Sequence, residues 1–139
     1  MRPSAGEIVR FLRAMPVAMA AQGVREKPIP EVVGKVRRWS GRGRVERVED
    51  AVRAAQRACN RWARWFGGID TCLTRSLVAG GLLAGSHDVV LHVGFRPSGQ
   101  GVEAVDGHAW LVVDGERIEL TGRDHEHEAP YETARTFRM

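Results

Sequence analysis

Apolar and polar positions divide the chain into a helical first half and a strand-forming second half. The clearest pattern is Val45, Val48, Val52, Ala55, Cys59, Trp62 and Phe66, which recur at alternating steps of three and four. That spacing predicts one apolar stripe along a helix of about six turns. Arg53, Arg57, Arg61 and Arg64 lie largely off the stripe and belong at the surface, and Gly67-Gly68 closes the helix. Earlier, Ser4 with Glu7 three residues on has the form of a capping box for a helix carrying Ile8, Phe11, Leu12 and Met15. Pro16 is expected to end or kink that helix. Pro28 and Pro30 mark a break, a short helix is expected from about Glu31 to Trp39, and Ser40-Gly41-Arg42-Gly43 reads as a linker.

Asp70 or Thr71 caps a further helix that reaches about Ala84 and is apolar nearly all round, through Leu73, Leu77, Val78, Leu82 and Leu83. Gly80 and Gly81 cost it about 1 kcal/mol each in propensity, which makes sense where neighbours approach closely, so this helix is expected to be central. From Val89 the period changes. Val89 to Phe95 is a nearly continuous apolar run, the pattern of a strand covered on both faces. Arg96 to Glu103 is a polar loop, Ala104 to Val113 a second strand, Asp114-Gly115 a hairpin turn, and Arg117 to Thr121 a third strand. The tail from Gly122 is polar and irregular, with Tyr131 and Phe137 available to dock it. The expected fold is α+β, a helical N-terminal half packed on a small antiparallel sheet. It forms a single domain over 1–139: a helical portion 1–66, a core 67–121 of one helix and three strands, and a polar tail 122–139.

Composition narrows the class. A chain of 139 residues with 43% hydrophobic content can bury one real core. No apolar run approaches the roughly 20 residues of a membrane span. Ala18-Met19-Ala20 faintly resembles a signal cleavage site, but Glu7, Arg10 and Arg13 interrupt the preceding segment, which reads as an ordinary helix. The net charge is +4, carried by 21 basic against 17 acidic residues, and only Lys27 and Lys35 are lysines. The arginines concentrate before Cys72, a pattern usual for a solvated face, and no nucleic-acid module accompanies them. Cys59 and Cys72 are expected as reduced thiols in a cytoplasmic protein, with no spacing that suggests structural zinc. His125-Glu126-His127-Glu128 lies in the polar tail and reads as solvated rather than metal-binding. No metal or cofactor is expected.

The candidate chemistry lies elsewhere. Cys72 falls in the first turn of its helix, where unsatisfied N–H groups and the helix dipole favour a thiolate. Cys59, inside the apolar stripe, reads as a buried small hydrophobe. On the second strand, 108, 110 and 112 share a face. With Asp114-Gly115 as a two-residue turn, Val113 pairs with Glu116, and counting back places Glu119 diagonally beside His108 on that same face, along with Arg117. Glu119 can then hold one imidazole nitrogen while the other faces Cys72, the arrangement of nucleophile, base and orienter.

Cys72-Leu73-Thr74-Arg75-Ser76-Leu77, the strand ending Val93-Gly94-Phe95, and His108-Ala109-Trp110-Leu111-Val112-Val113-Asp114-Gly115 together resemble the leader peptidase of lasso-peptide biosynthesis. This is the peptidase half of the split lasso B protein, in the transglutaminase-like, papain-like cysteine protease superfamily. The resemblance covers roughly residues 60 to 121. It implies an enzyme that removes the leader from a ribosomally made precursor peptide. It also implies a partner protein with a leader-recognition fold and a separate macrolactam synthetase acting on the freed amino terminus. Carried over by position, it makes Cys72 the nucleophile and His108 the general base and acid. The family's aspartate falls about where Leu120 stands here; Glu119 is the best replacement, followed by Asp124 and Asp106. Two other readings fit the same residues: a transglutaminase-like acyltransferase, and a peptide-binding module without catalysis.

Overall fold

The computed structural model describes residues 2, 4–40, 47–68, 70–97, 105–120 and 132–139, and of 96, 97, 105, 106 and 132–134 only the backbone. Helix α1 spans Ala5–Ala21, followed by a short 3-10 turn at Gln22–Arg25. Helices α2 (Ile29–Trp39), α3 (Val48–Phe66) and α4 (Cys72–Leu83) complete the helical half. The sheet contains β1 (Val89–Pro97), β2 (Val105–Val113), β3 (Glu116–Ile118) and β4 (Glu132–Arg138). All pairings are antiparallel, in the order β3-β2-β1-β4. The architecture is α+β, as the pattern of the sequence predicts.

The Ser4–Glu7 capping box forms as expected, with Glu7 N–H donating to Ser4 Oγ at 3.2 Å and Ser4 N–H to Glu7 Oε2 at 2.9 Å. The helix does not stop at Pro16. It continues to Ala21, because Pro16 sits on the solvent side, where water can serve the carbonyl one turn back that loses its N–H partner. The buried side of α1 is its C-terminal half, Ala14, Val17, Ala18, Ala20 and Ala21, while Leu12 is 61% exposed. A similar correction applies to α3. Its buried face is Ala51, Ala54, Ala55, Ala58 and Cys59, and the expected stripe runs off it at Phe66, which is 63% exposed. A helical repeat of 3.6 drifts off a strict 3.5 spacing by about 20° per heptad, so a stripe six turns long cannot keep both ends on one core. Small residues on α1 and α3 let these helices lie close together and close to α4.

Helix α4 is the hub, touching α1, α2, α3, β1 and β2. Its two glycines serve opposite neighbours. A Cβ on Gly81 would lie 2.5 Å from Val36 Cγ1 of α2, and one on Gly80 would collide with the Met139 sulfur beneath the sheet. The cost in propensity is offset by close packing on both sides.

On β1 and β2 the odd-numbered Val89, Leu91, Ala109, Leu111 and Val113 are buried towards α4. The opposite face bears His92, His108 and Trp110, joined by Arg117 of β3, which pairs with Val112. The second face is shielded too, with Trp110 4% and His108 6% exposed, although its side chains are polar and aromatic rather than aliphatic. Asp114 (φ 51°) and Gly115 (φ 84°) both adopt positive φ, the two-residue hairpin turn their sequence demands, and Val113 pairs with Glu116. The largest departure is β4. The end of the polar tail forms a fourth strand, with Leu91 opposite Phe137 and Val90 opposite Arg138. Alternation of Thr and Arg around one Phe gives little apolar signal, and the strand exists because β1 offers an unpaired edge. Tyr131 and the His125–Glu128 run lie outside the described residues. No helix among the described residues is long and apolar enough to cross a membrane.

Candidate active site

The N-terminus of α4 is built by Thr71 and Thr74. Thr74 N–H donates to Thr71 Oγ1 at 3.3 Å, and Thr71 N–H donates to Thr74 Oγ1 at 2.9 Å. This reciprocal cap makes Cys72 the first helical residue and leaves its own N–H outside the capping pair. Cys72 is half-buried, packed at the margin of the core. Just before it, Asp70 grips Arg75 through both carboxylate oxygens, at 2.6 Å to Nε and 2.8 Å to Nη2. That fork raises the Arg75 pKa, chiefly through the hydrogen bond and further through the Asp70 charge, against burial, which lowers it.

Strand β3 pairs with β2 only as far as Leu111 opposite Ile118, so Ala109 lies beyond that ladder. Its N–H donates to Cys72 Sγ at 3.4 Å. The sulfur thus rests against the backbone one residue after His108. An N–H donor of this kind interacts more strongly with an anionic sulfur than with a thiol.

His108 is buried, and its Nε2 lies 2.7 Å from Glu119 Oε2. The other Glu119 oxygen accepts from Arg117 Nε at 2.7 Å and ion-pairs with Arg117 Nη2 at 2.5 Å. The Arg117 guanidinium lies over the Trp110 ring, 4.4 Å from its centroid. Trp110 itself stacks between His108 and His92, with centroids 5.8 Å and 5.5 Å away. One face of the sheet therefore carries a continuous row from His92 through Trp110 and His108 to Glu119, clamped from outside by Arg117.

Leu120 holds its neighbour in place by its backbone. Its carbonyl accepts from Gln56 Nε2 of α3 at 2.8 Å and from Arg75 Nη1 of α4 at 3.3 Å, while its side chain is 0% exposed in the core. Opposite parity explains why Glu119 faces His108 and Leu120 does not. Asp124 lies outside the described residues, and Asp106 is placed on β2 by its backbone alone. Cys59 is fully buried, and burial pushes its thiol up to about 12, which makes it inert at neutral pH.

Three further residues contribute to the site: Arg117, Arg75 and Gln56. Arg117 shares the parity of Glu119, which is a usable signal. Arg75 and Gln56 have none, because their partner is a main-chain carbonyl brought near by packing.

A family model described as transglutaminase-like superfamily matches residues 11–134, a span that contains Cys72, His108 and Glu119. The chain belongs to the transglutaminase-like superfamily. Members of this superfamily are generally cysteine proteases or acyltransferases. For this transglutaminase-like chain no curated protein and no solved structure gives a significant match. A cysteine at a helix N-terminus, with an imidazole and a carboxylate on the adjoining sheet, suits the acyl chemistry of such a superfamily.

Proposed function

We propose that the protein is a cysteine peptidase that removes the leader from a ribosomally made lasso-peptide precursor. In this reading it works with a separate leader-binding protein that has a recognition-element fold, ahead of a macrolactam synthetase. The observation that supports it most is the joint placement of three groups. His108 is held by Glu119 at 2.7 Å, and the Cys72 sulfur lies against the Ala109 N–H at 3.4 Å.

A carboxylate only accepts, so Nε2 of His108 carries a proton towards Glu119 and Nδ1 is the basic nitrogen. In the proposed mechanism Nδ1 takes the Cys72 proton, and Sγ attacks the carbonyl carbon at the leader–core junction. The Cys72 N–H, outside the capping pair, is assigned to the developing oxyanion. The C–N bond breaks, and the imidazolium gives its proton to the leaving amine. The core peptide departs with a free amino terminus, and the leader remains as a thioester. His108 then deprotonates a water, which attacks the thioester carbonyl. The C–S bond breaks, Sγ regains a proton, and the leader leaves as a carboxylic acid. Glu119 stabilises the imidazolium in both halves.

Mass spectrometry of a lasso precursor incubated with this protein and its leader-binding partner tests the proposal, with Cys72→Ala as control. One discrete cut with addition of water, present in the wild type and absent in the variant, is expected. A product joined to an amine without hydrolysis would replace the peptidase with an acyltransferase. An intact but bound precursor would reduce the protein to a binding module.

A further inference from the structure

Between α1 and α3 lies a groove of about 840 Å³ that runs to Arg75, in the first turn of α4 beside Cys72. Its walls carry Arg2, Arg57, Arg61 and Arg64 against one carboxylate, Glu7, together with Arg75, whose guanidinium Asp70 already holds. Glu7 is already engaged, capping its own helix through Ser4 and accepting from Arg53. Arg57, Arg61 and Arg64 follow one another at four and three residues, so they share one face of α3, and all three are exposed. Among the described residues none of the three forms an ion pair; Arg61 instead lies over the Trp65 ring, 5.4 Å from its centroid. Like charges set this close repel one another, within a screening length of about 8 Å at physiological salt, and a bound anion relieves that repulsion. Guanidinium forks fit carboxylates in particular, through paired N–H donors.

Length and position narrow the occupant. From Arg57 to Arg64 the helix advances about 10 Å, the reach of three to four residues of extended chain. Arg75, which also lines the groove, stands three residues along α4 from Cys72. We propose that this groove binds an acidic segment of the peptide substrate, two or three carboxylates within a short extended stretch, and so delivers the adjoining bond to Cys72. The identity of the ligand as substrate rests on the peptidase reading, whereas the preference for carboxylates rests on the groove alone.

The test uses the full chain as Cys72→Ala, so that binding is read without turnover. Fluorescence anisotropy measures binding of labelled hexaglutamate and, for comparison, hexaglutamine. Hexaglutamate is expected to bind at least about tenfold more tightly, with an affinity that falls as salt rises. Arg57→Glu with Arg61→Glu weakens it by about tenfold or more, and Arg57→Gln with Arg61→Gln by about threefold or more. Arg37→Glu with Arg38→Glu makes the same change of net charge on the exposed end of α2 and alters binding less than about twofold. Equal losses in the α2 and groove variants would reduce the effect to net charge and overturn the proposal. So would equal binding of the two peptides, or tighter binding of an oligothymidylate of the same charge. Loss of the groove proposal with precursor cleavage intact leaves the peptidase standing. Carboxylate binding without cleavage removes the peptidase and leaves the groove.

Discussion

Glu119 Oε2 stands 2.7 Å from His108 Nε2, although a hairpin turn separates them, with His108 inside β2 and Glu119 one residue past the end of β3. The contact follows from strand parity. Asp114-Gly115 sets the register, and the register puts both side chains on the face that also carries Trp110 and Arg117. Arg117 completes the pair by holding the second carboxylate oxygen.

Glu119→Gln keeps the shape and removes the charge that supports a protonated His108. Precursor cleavage is expected to fall by about 10²- to 10⁴-fold in kcat. Leu120→Asp restores an acid where the resembling family has one, but on a side chain that is 0% exposed and faces the core. It is expected to cost several kcal/mol in chemical denaturation and to leave Glu119→Ala inactive, since an unpaired buried carboxylate is strongly destabilising. Recovery of cleavage in the double variant would show that the acid acts from position 120.

Gln56 donates at 2.8 Å to the Leu120 carbonyl, the main-chain group next to Glu119. Gln56→Leu keeps bulk and removes the donor, so the Leu120 carbonyl loses one of its two side-chain donors among the described residues. Steady-state kinetics should give a kcat lowered by about tenfold or more, as misplacement by less than an ångström does. The protein should lose only about 1 kcal/mol of stability. An unchanged kcat would mean that the Gln56 hydrogen bond is not needed to place Glu119.

The two thiols should differ in reactivity. Cys59 is buried and its thiol is pushed up to about 12, whereas Cys72 is half-buried at a helix N-terminus. Iodoacetamide at neutral pH is expected to add one group to the folded chain, at Cys72 by peptide mapping, and a second only in denaturant. Cys59→Ala should keep cleavage intact and cost about 1–2 kcal/mol for the cavity it leaves. Labelling of Cys59 in the folded protein would contradict its placement in the core.

His92 has a ring nitrogen, Nδ1, that is buried without a hydrogen-bond partner among the described residues. Burial first, and the Arg117 charge second, hold its pKa below 6.5. Above that pH the imidazole is neutral in both states and contributes no pH dependence. As pH falls through 6.5 the unfolded chain binds a proton that the folded chain resists, so stability falls, and the loss levels off below the folded-state pKa. Thermal melts between about pH 7.5 and about pH 5.5 should therefore show a smaller loss of Tm for His92→Phe, which keeps the stack on Trp110. Identical slopes would place the acid sensitivity elsewhere.

Local patterns in the sequence determined the elements that carry strong local signals. The Ser4–Glu7 box, the Asp114-Gly115 turn, the apolar α4 with its paired glycines and the parity of His108 with Glu119 each depend on neighbours within a few residues. Cys72 at a helix start is legible for the same reason. Elements whose stability comes from distant partners are not. The alanine-rich faces of α1 and α3 are buried because α4 presses against them, while Leu12 and Phe66, more apolar, are left outside. Strand β4 forms only because β1 has an edge to offer. Packing, not pattern, brings Gln56 and Arg75 to one carbonyl and lines Arg57, Arg61 and Arg64 along a groove that Arg75 shares. Hydrogen bonds to main-chain groups and the sharing of a cavity carry no residue-type signature, so only the tertiary structure could decide them.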